Sequence, residues 1–229
     1  MPFVDRDASV GSIITIATSK GGGGKTALCI VLAVNLAALG YRIAVVDADR
    51  NATFSGWHRA NYEGPPIHCQ PEIRHVEVVE VAQDLAERFD VVLVDTAGFE
   101  NLTAATAIAT SDHVLIPCMP DRGSIVEAVK TAAQIASAAR AARRPIPASV
   151  IRTRWNPKGL AEKAALDDLA DARLPIMNQH LASLAEFGKM TFSGIVPTSG
   201  AIGHQADQLI AELVGLGAIP ARHARMAAP

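Results

Sequence analysis

The fold of this chain is decided by the glycine-rich segment at residues 19–26, which reads Ser19-Lys20-Gly21-Gly22-Gly23-Gly24-Lys25-Thr26. An apolar run, Ile13-Ile14-Thr15-Ile16-Ala17, precedes it, and a stretch with helical spacing follows at residues 27–39. A strand, a glycine turn and a helix start form a cradle for phosphate groups, because backbone N–H groups and the positive end of the helix dipole face the same point. In such a cradle a lysine reaches the β- and γ-phosphates and a hydroxyl holds Mg²⁺, and these are the roles predicted for Lys25 and Thr26.

The loop departs from the standard pattern G-x-x-x-x-G-K-[ST], because Ser19 stands where that pattern has glycine. A second lysine, Lys20, follows it directly. This lysine marks the deviant Walker A motif, and the sequence here resembles the ParA/MinD superfamily of P-loop ATPases, in particular its short, stand-alone ParA proteins. The resemblance implies that Lys20 reaches across a dimer interface to the partner subunit's nucleotide. Four consecutive glycines also fit a flexible linker, but linkers do not end in Gly-Lys-Thr between a strand and a helix.

The length of 229 residues fits one large α/β domain with ample sequence for a buried core. We therefore predict a single domain over residues 1–229, with flexible ends at residues 1–11 and 220–229. The 21 Lys and Arg residues nearly balance the 23 Asp and Glu residues, so the overall charge does not indicate a nucleic acid partner.

Cysteine usage and hydropathy indicate a cytoplasmic protein. The three cysteines are far apart and lack metal-ligand spacing, which favours buried, reduced thiols at Cys29, Cys69 and Cys118. No apolar signal segment occurs at the N-terminus, and no later stretch has about 18 uncharged apolar residues in a row. Neither secretion nor a membrane span is expected.

Apolar runs typical of buried strands alternate with alanine-rich stretches of helical spacing. Strands are predicted at residues 12–18, 42–47, 91–95, 113–117 and 148–153. Helices are predicted at residues 27–38, 76–88, 124–143 and 159–172. Residues 50–71 contain Gly64, Pro65 and Pro66 and are expected to be irregular. The alternation predicts a doubly wound α/β fold, with a mostly parallel sheet and helices on both faces. Ligands in such folds lie beyond the carboxyl ends of the strands.

Carboxylates follow two of the predicted strands. Asp47 and Asp49 end the second strand as Asp-Ala-Asp, and Asp95 ends the run Val91-Val92-Leu93-Val94 and is followed by Thr-Ala-Gly98. Aspartate after a strand also fits a helix cap or a turn. The resemblance implies that Asp49 positions the attacking water, that Asp47 supports the metal shell or the water, and that Asp95 holds Mg²⁺ through a water in a Walker B arrangement.

The resemblance thus implies a complete site for ATP and Mg²⁺. The catalytic residues are Lys20, Lys25 and Asp49. The nucleotide-binding residues are Gly21, Gly22, Gly23, Gly24, Lys25, Thr26 and Ala27. The metal-binding residues are Thr26, Asp47 and Asp95. The family's adenine pocket uses the end of a later strand and the loop before a late helix, here residues 152–156 and 196–199, which makes Asn156 and Pro197 the candidates for adenine contacts.

A basic stretch lies between residues 128 and 161, which contain no acidic residue. Its candidate DNA contacts are Arg140, Arg143, Arg144 and Lys158. A basic face binds DNA phosphates without reading the sequence, and a dimer would double it. The alternative is a solvated helix end, where cations favour the C-terminal turn. The sequence leaves both explanations open.

The function implied by the resemblance is that of a ParA-type ATPase. It would form a homodimer on ATP, bind DNA non-specifically and hydrolyse ATP slowly in order to segregate or position a plasmid, a chromosome or another cargo. Its partner would be a ParB-like or other activating protein, and its location would be the cytoplasm, on the nucleoid. Ala27 and the pair Arg50-Asn51 depart from the residues common in the family, without removing a required ligand.

Two alternatives belong to other functional classes. A MinD-like ATPase acting at a membrane surface would need a basic amphipathic C-terminal helix, whereas residues 206–219 are apolar and acidic. No membrane partner is therefore expected. A metabolic or metal-handling P-loop ATPase would be expected to show paired cysteines or a substrate domain, and neither is evident.

Overall fold

Strands and helices alternate along the chain in this computed structural model, which describes residues 10–19, 22–98, 102–182 and 186–221. The strands are β1 (Ser12–Ile16), β2 (Ile43–Ala48), β3 (Ile67–Pro71), β4 (Val91–Thr96), β5 (His113–Cys118), β6 (Ala148–Trp155) and β7 (Ile176–Ala182). The helices are α1 (Lys25–Ala38), α2 (Thr53–Asn61), α3 (Glu77–Ala86), α4 (Leu102–Thr110), α5 (Arg122–Ala142), α6 (Leu160–Asp171), α7 (Glu186–Ser193) and α8 (Gly200–Gly215).

The strands form one seven-stranded sheet in the order β3-β2-β4-β1-β5-β6-β7. Every pairing between neighbouring strands is parallel, which confirms the predicted doubly wound α/β fold. The strand order reverses next to β1, so its carboxyl end opens into the crevice where ligands of such folds bind. The register places Asp95 beside both Ile16 of β1 and Asp47 of β2. The glycine loop and both carboxylates therefore emerge at the same edge of the sheet.

Both faces of the sheet are buried under helices, as the continuous apolar strands predict. Alternate residues of β1 lie on opposite faces of the sheet. Ile14 packs with α1 and α8, whereas Ile13 packs with α3. Helix α1 lies deep in the first of these layers, with all of its residues from Leu28 to Ala37 buried. The glycine loop is thus followed by a helix that is enclosed by the core.

The five predicted strands and four predicted helices are present, with ends that differ by two residues at most. The prediction for residues 50–71 was wrong, because they form α2 and β3. Helix α2 is anchored by the buried aromatic residues Phe54 and Trp57, and β3 is an edge strand with only one fully buried residue. Strand β7, at the other edge, was not predicted either. Edge strands lack the continuous apolar run by which buried strands are recognised.

The chain is held to the domain at both limits of the described region. Gly11, expected within a flexible end, is buried, and its N–H donates to the Ala86 carbonyl over 2.7 Å. Near the other limit, the Tyr41 hydroxyl donates to the Pro220 carbonyl over 3.0 Å. Residues 1–9 and 222–229 lie outside the described residues. Among the helices that the structure describes, none has the length and apolar character needed to cross a membrane.

Candidate nucleotide-binding site

The loop between β1 and α1 has the backbone conformation of a phosphate cradle. Gly22 and Gly24 have φ values of 77° and 82°, in the left-handed region that favours glycine. Gly24 is the N-cap of α1 and makes no side-chain cap bond, so the N–H groups of the first turn face the crevice without a capping side chain. The predicted site residues Lys20 and Gly21 lie outside the described residues.

A cavity of about 370 Å³ opens beside this loop. It is lined by residues from the glycine loop, the end of β2, the start of α2 and the end of β4, namely Gly22, Gly23, Gly24, Lys25, Thr26, Ala27, Asp49, Asn51, Thr53, Ala97 and Gly98. The structure therefore brings the predicted loop residues together with Asp49. Asn51 and Thr53 were not predicted, because their segment was expected to be irregular and the start of α2 was not foreseen.

Asp95 is fully buried next to the cradle. Neither of its carboxylate oxygens has a hydrogen-bond partner at normal bonding distance among the described residues. Burial raises its pKa to about 7, which the nearby Thr26 hydroxyl partly opposes, while Asp47 raises it further. A buried carboxylate without partners is costly unless a cation or a donor compensates it. The residues present therefore fit a hydrated Mg²⁺ ion, because Thr26 and Asp95 offer the oxygen atoms that this ion prefers.

Lys25 is also buried, with 6% of its surface exposed. Burial lowers the pKa of its ammonium group, whereas the charges of Asp95 and Asp49 raise it. The lysine stands at the start of α1, so a phosphate in the cradle would meet both its charge and the helix N-terminus. The Lys25 charge and the helix N-terminus fit an anionic ligand, whereas the carboxylates of Asp49 and Asp95 fit a cation bound beside it.

Asp47 and Asp49 have different surroundings. Asp47 is fully buried; its Oδ2 accepts from the Ser55 N–H over 2.8 Å, and its Oδ1 accepts from the Asp49 N–H over 3.3 Å. Asp49 lines the cavity, and its Oδ1 accepts from the Asn51 N–H over 2.9 Å. Asp47 thus has the turn and helix-cap role that the sequence left open as an alternative, since it fixes the turn that presents Asp49 and binds the first turn of α2.

A second cavity of about 270 Å³ lies on the other side of Gly24. It is lined by Gly24, Ala27, Leu28, Thr153, Arg154, Leu181, Gly188 and Thr191. The Thr153 hydroxyl is buried and has no hydrogen-bond partner among the residues that the structure describes. Arg154 has φ +53°, an uncommon conformation for a residue with a side chain. Because the two cavities share Gly24 and Ala27, one elongated ligand can occupy both.

The two candidates for adenine contacts lie elsewhere. Asn156 is exposed, and its Oδ1 accepts from the Lys158 N–H over 3.2 Å in the turn after β6. Pro197 is half-buried in the segment before α8. Neither lines the two cavities described above. Thr153 and Arg154, from the predicted segment 152–156, line the second cavity together with residues of β7 and α7, whose convergence depends on tertiary packing.

The basic candidates do not share one surface. Helix α5 runs back from the carboxyl edge of the sheet, so exposed Arg140 and Arg143 lie near the amino ends of the strands. Exposed Lys158 follows the carboxyl end of β6, and β6 alone spans eight residues, or about 26 Å. Arg144 donates to the carbonyls of Ala109 and Ser111, over 2.6 and 2.8 Å. It therefore holds the end of α4 rather than lying free in solvent.

Comparison of the sequence with known proteins identifies relatives over most of the chain. Residues 11–211 match the family model described as VirC1 protein. The chain is 30% identical over 191 residues to the VirC1 protein of Rhizobium rhizogenes, covering 80% of this chain and 82% of that protein. It is 28% identical over 145 residues to the ParA protein of Rhizobium radiobacter, covering 63% of this chain and 65% of that protein.

Solved structures share the fold at low sequence identity. A McdA variant from Cyanothece in complex with ATP has a TM-score of 0.78 and 14% identity, with 94% of this chain and 99% of that chain covered. The MinD cell division protein of Aquifex aeolicus has a TM-score of 0.70 and 22% identity, with 88% and 97% covered. The family match agrees with the glycine loop and the buried carboxylates. The chain therefore belongs to the VirC1 family, within the ParA/MinD superfamily of P-loop ATPases.

Proposed function

We propose that this protein is a Mg²⁺-dependent ATPase of the ParA type. It forms a homodimer on ATP, binds DNA without sequence preference and uses slow hydrolysis to segregate or position a plasmid, a chromosome or another cargo. The observation that supports the ATPase most directly is the buried Asp95 carboxylate, which has no partner at normal hydrogen-bond distance among the described residues and lies near the Thr26 hydroxyl and the Lys25 ammonium at the glycine loop.

The phosphates would lie in the first cavity. Gly22 to Lys25 line that space at the N-terminus of α1, where backbone N–H groups and a lysine would suit a β,γ-phosphate pair. Mg²⁺ supplies charge neutralisation at these phosphates when it is bound. The Thr26 hydroxyl would hold the ion directly, Asp95 would hold it through water, and Asp47 would support this shell.

Hydrolysis requires little covalent chemistry from the protein. Catalysis therefore comes mainly from positioning the reactants and neutralising the charge on the phosphates. Asp49 lines the cavity and accepts from the Asn51 N–H, which fixes its carboxylate at the cavity wall. We infer that it orients the attacking water. Asp47 holds the turn through Asp49 and Ser55, so the position of this carboxylate is set by the buried end of β2.

The adenosine would extend past Gly24 into the second cavity. Apolar Leu28 and Leu181 line that cavity, together with the buried Thr153 hydroxyl. An apolar wall with a few polar groups is typical of a base-binding pocket. Asn156 and Pro197 line neither cavity and remain predicted adenine contacts.

Dimerisation and DNA binding would use opposite edges of the sheet. Lys20 belongs to the loop at the carboxyl edge, where it would reach the partner subunit's nucleotide. Arg140 and Arg143 lie near the amino edge, and α5, at 21 residues, spans about 31 Å. ATP would then control DNA affinity through valency, because a dimer presents two basic surfaces to one duplex. A ParB-like or other activating protein would stimulate hydrolysis, and the ATP-bound dimer would reside on the nucleoid.

The first experiment measures ATP hydrolysis and duplex DNA binding for the wild type and two lysine variants. Hydrolysis should require Mg²⁺ and fall at least 100-fold in Lys25→Ala. DNA binding should appear with ATP, be weak with ADP and fall steeply with salt. Lys20→Ala should retain binding of a fluorescent ATP analogue but lose ATP-dependent dimerisation and DNA binding.

Lys163→Ala is the matched control, because Lys163 is an exposed lysine on α6 away from both cavities. It should behave as the wild type in all three assays. Absence of nucleotide binding would refute the ATPase proposal. Nucleotide binding without DNA binding in any state, or retention on anionic vesicles instead of DNA, would refute the proposed DNA-positioning role.

A further inference from the structure

Ser19, the residue that replaces the standard glycine, is bonded to helix α5. Its N–H donates to the Thr131 hydroxyl over 3.1 Å, and its own hydroxyl contacts the Glu127 carbonyl over 3.3 Å. The same hydroxyl donates to the Glu127 carboxylate. These contacts join positions more than 100 residues apart in the chain.

The residues of α5 at this contact are themselves bonded to one another. Thr131 is fully buried, and its hydroxyl donates to the Glu127 carbonyl over 2.7 Å. The Glu127 carboxylate forms an ion pair with Lys130 over 2.9 Å, and 21% of the Glu127 side chain is exposed. The side chain that meets Ser19 is therefore largely buried.

Glycine loses more conformational entropy than other residues when its backbone is fixed in one conformation. Anchoring one end of the loop in advance reduces that cost and so increases affinity. The C-terminal end is already fixed, because Lys25 and Thr26 belong to α1. At the N-terminal end, a hydrogen bond to a carboxylate is stronger than one between neutral groups.

We propose that Glu127 is a positioning residue for nucleotide binding: by accepting from Ser19, it pre-orders the phosphate-binding loop. The inference rests on the proposed function only in requiring that ATP bind this loop. Glu127 touches no phosphate in this scheme and acts through Ser19. The standard motif has a flexible glycine at position 19. Here the hydrogen bond between Ser19 and Glu127 fixes the N-terminal end of the loop instead.

The test is a double-mutant cycle on the affinity for a fluorescent ATP analogue, measured without DNA. Glu127→Ala and Ser19→Gly should each raise Kd, and the KM for ATP, about tenfold, with kcat changed less than threefold. The Kd of the double variant should also rise about tenfold rather than about a hundredfold, because both substitutions remove the same contact between Ser19 and Glu127. Glu127→Gln should recover most of the affinity, since its amide oxygen still accepts from Ser19.

Lys130→Met is the matched control, because it removes the ion pair but leaves the Ser19 contact in place. Its Kd should stay within threefold of the wild type. Effects of Glu127→Ala and Ser19→Gly that multiply to about a hundredfold would overturn the proposal, as would wild-type affinity in Glu127→Ala. The Ser19→Gly and Glu127→Gln arms keep the test valid if Glu127→Ala does not fold. If the Ser19 and Glu127 substitutions share one effect on nucleotide affinity but the protein does not bind DNA, only the proposed DNA role is refuted.

Discussion

At the residue scale, two buried aspartates at neighbouring strand ends have opposite surroundings. Both oxygens of Asp47 accept backbone N–H groups, whereas those of Asp95 have no partner at bonding distance within the described parts of the chain. The first is typical of a structural carboxylate and the second of a ligand site, because proteins rarely leave a buried charge uncompensated. The hydrogen-bond environment, and not residue type or burial, separates their roles.

Asp95→Asn should stabilise the ligand-free protein at alkaline pH while removing hydrolysis. The pKa of Asp95 is raised to about 7, so its contribution to stability is present below the ordinary pKa and is lost as pH rises towards 7. At pH 8 the variant should gain about 1–2 kcal/mol of unfolding free energy relative to the wild type, and its hydrolysis should fall at least 100-fold.

Urea unfolding at pH 5 and pH 8 checks this prediction for both proteins. His113 also titrates, since burial lowers its pKa to about 4 and its contribution is lost as pH falls below its ordinary range. Because His113 is present in both proteins, the difference between variant and wild type isolates Asp95. A stability difference that is equal at the two pH values would contradict the prediction.

At the element scale, α5 links parts of the molecule that are distant in sequence. Its N-cap Asp121 accepts from the Ser124 N–H over 2.9 Å, which fixes the start of the helix at the carboxyl edge. Its second and third turns hold Ser19, and the residue after its C-cap, Arg144, binds the end of α4. The helix therefore contacts both the start of the glycine loop and the end of α4, and it also carries exposed basic residues.

Arg144→Ala should destabilise the protein whereas Arg143→Gly should not, although both remove an arginine. Arg144→Ala leaves the Ala109 and Ser111 carbonyls without their donor and should cost about 1–3 kcal/mol. Arg143 is the C-cap of α5 with φ 53°, a conformation in which glycine is unstrained, so Arg143→Gly should be neutral or stabilise by about 0.5–1 kcal/mol. Chemical denaturation measures both; equal losses would show that Arg144 has no special structural role.

At the scale of the whole molecule, the nucleotide site and the basic end of α5 occupy opposite edges of the sheet. Helices that follow parallel strands return to the amino edge, so their C-termini gather there. Cations at such positions also complement the helix dipole, which is the competing explanation for Arg140 and Arg143. Charge variants that preserve the fold can separate the two explanations.

The variant Arg140→Glu/Arg143→Glu should weaken ATP-dependent DNA binding more than tenfold and reduce its salt dependence, because phosphate contacts are lost. Lys158→Glu, at the other edge, should change DNA affinity less than threefold. Fluorescence anisotropy with duplex DNA across a salt series measures both, and ATP hydrolysis without DNA should be unchanged. If Lys158→Glu has the larger effect, the DNA surface lies at the carboxyl edge instead.

Much of this protein could be predicted from local sequence. The glycine loop, the buried strands and the aspartates that follow them are encoded by neighbouring residues, since strand burial and loop geometry depend on local apolar runs and glycine. Helix α2 and strands β3 and β7 were not predicted. Their sequences mix polar and apolar residues, because these elements are stabilised by packing at the edges of the sheet.

By itself, the sequence determined the parallel α/β fold, the position of the glycine loop after β1 and the aspartates at the neighbouring strand ends, because each is specified within a few consecutive residues. Only the tertiary structure decided that Asp95 lacks a partner at bonding distance among the described residues, that Ser19 meets Glu127, and that Lys158 lies far from Arg140. Each of these facts concerns residues that are distant in sequence and lie on different strands and helices. They depend on how the elements pack around one another, which no local pattern in the chain records.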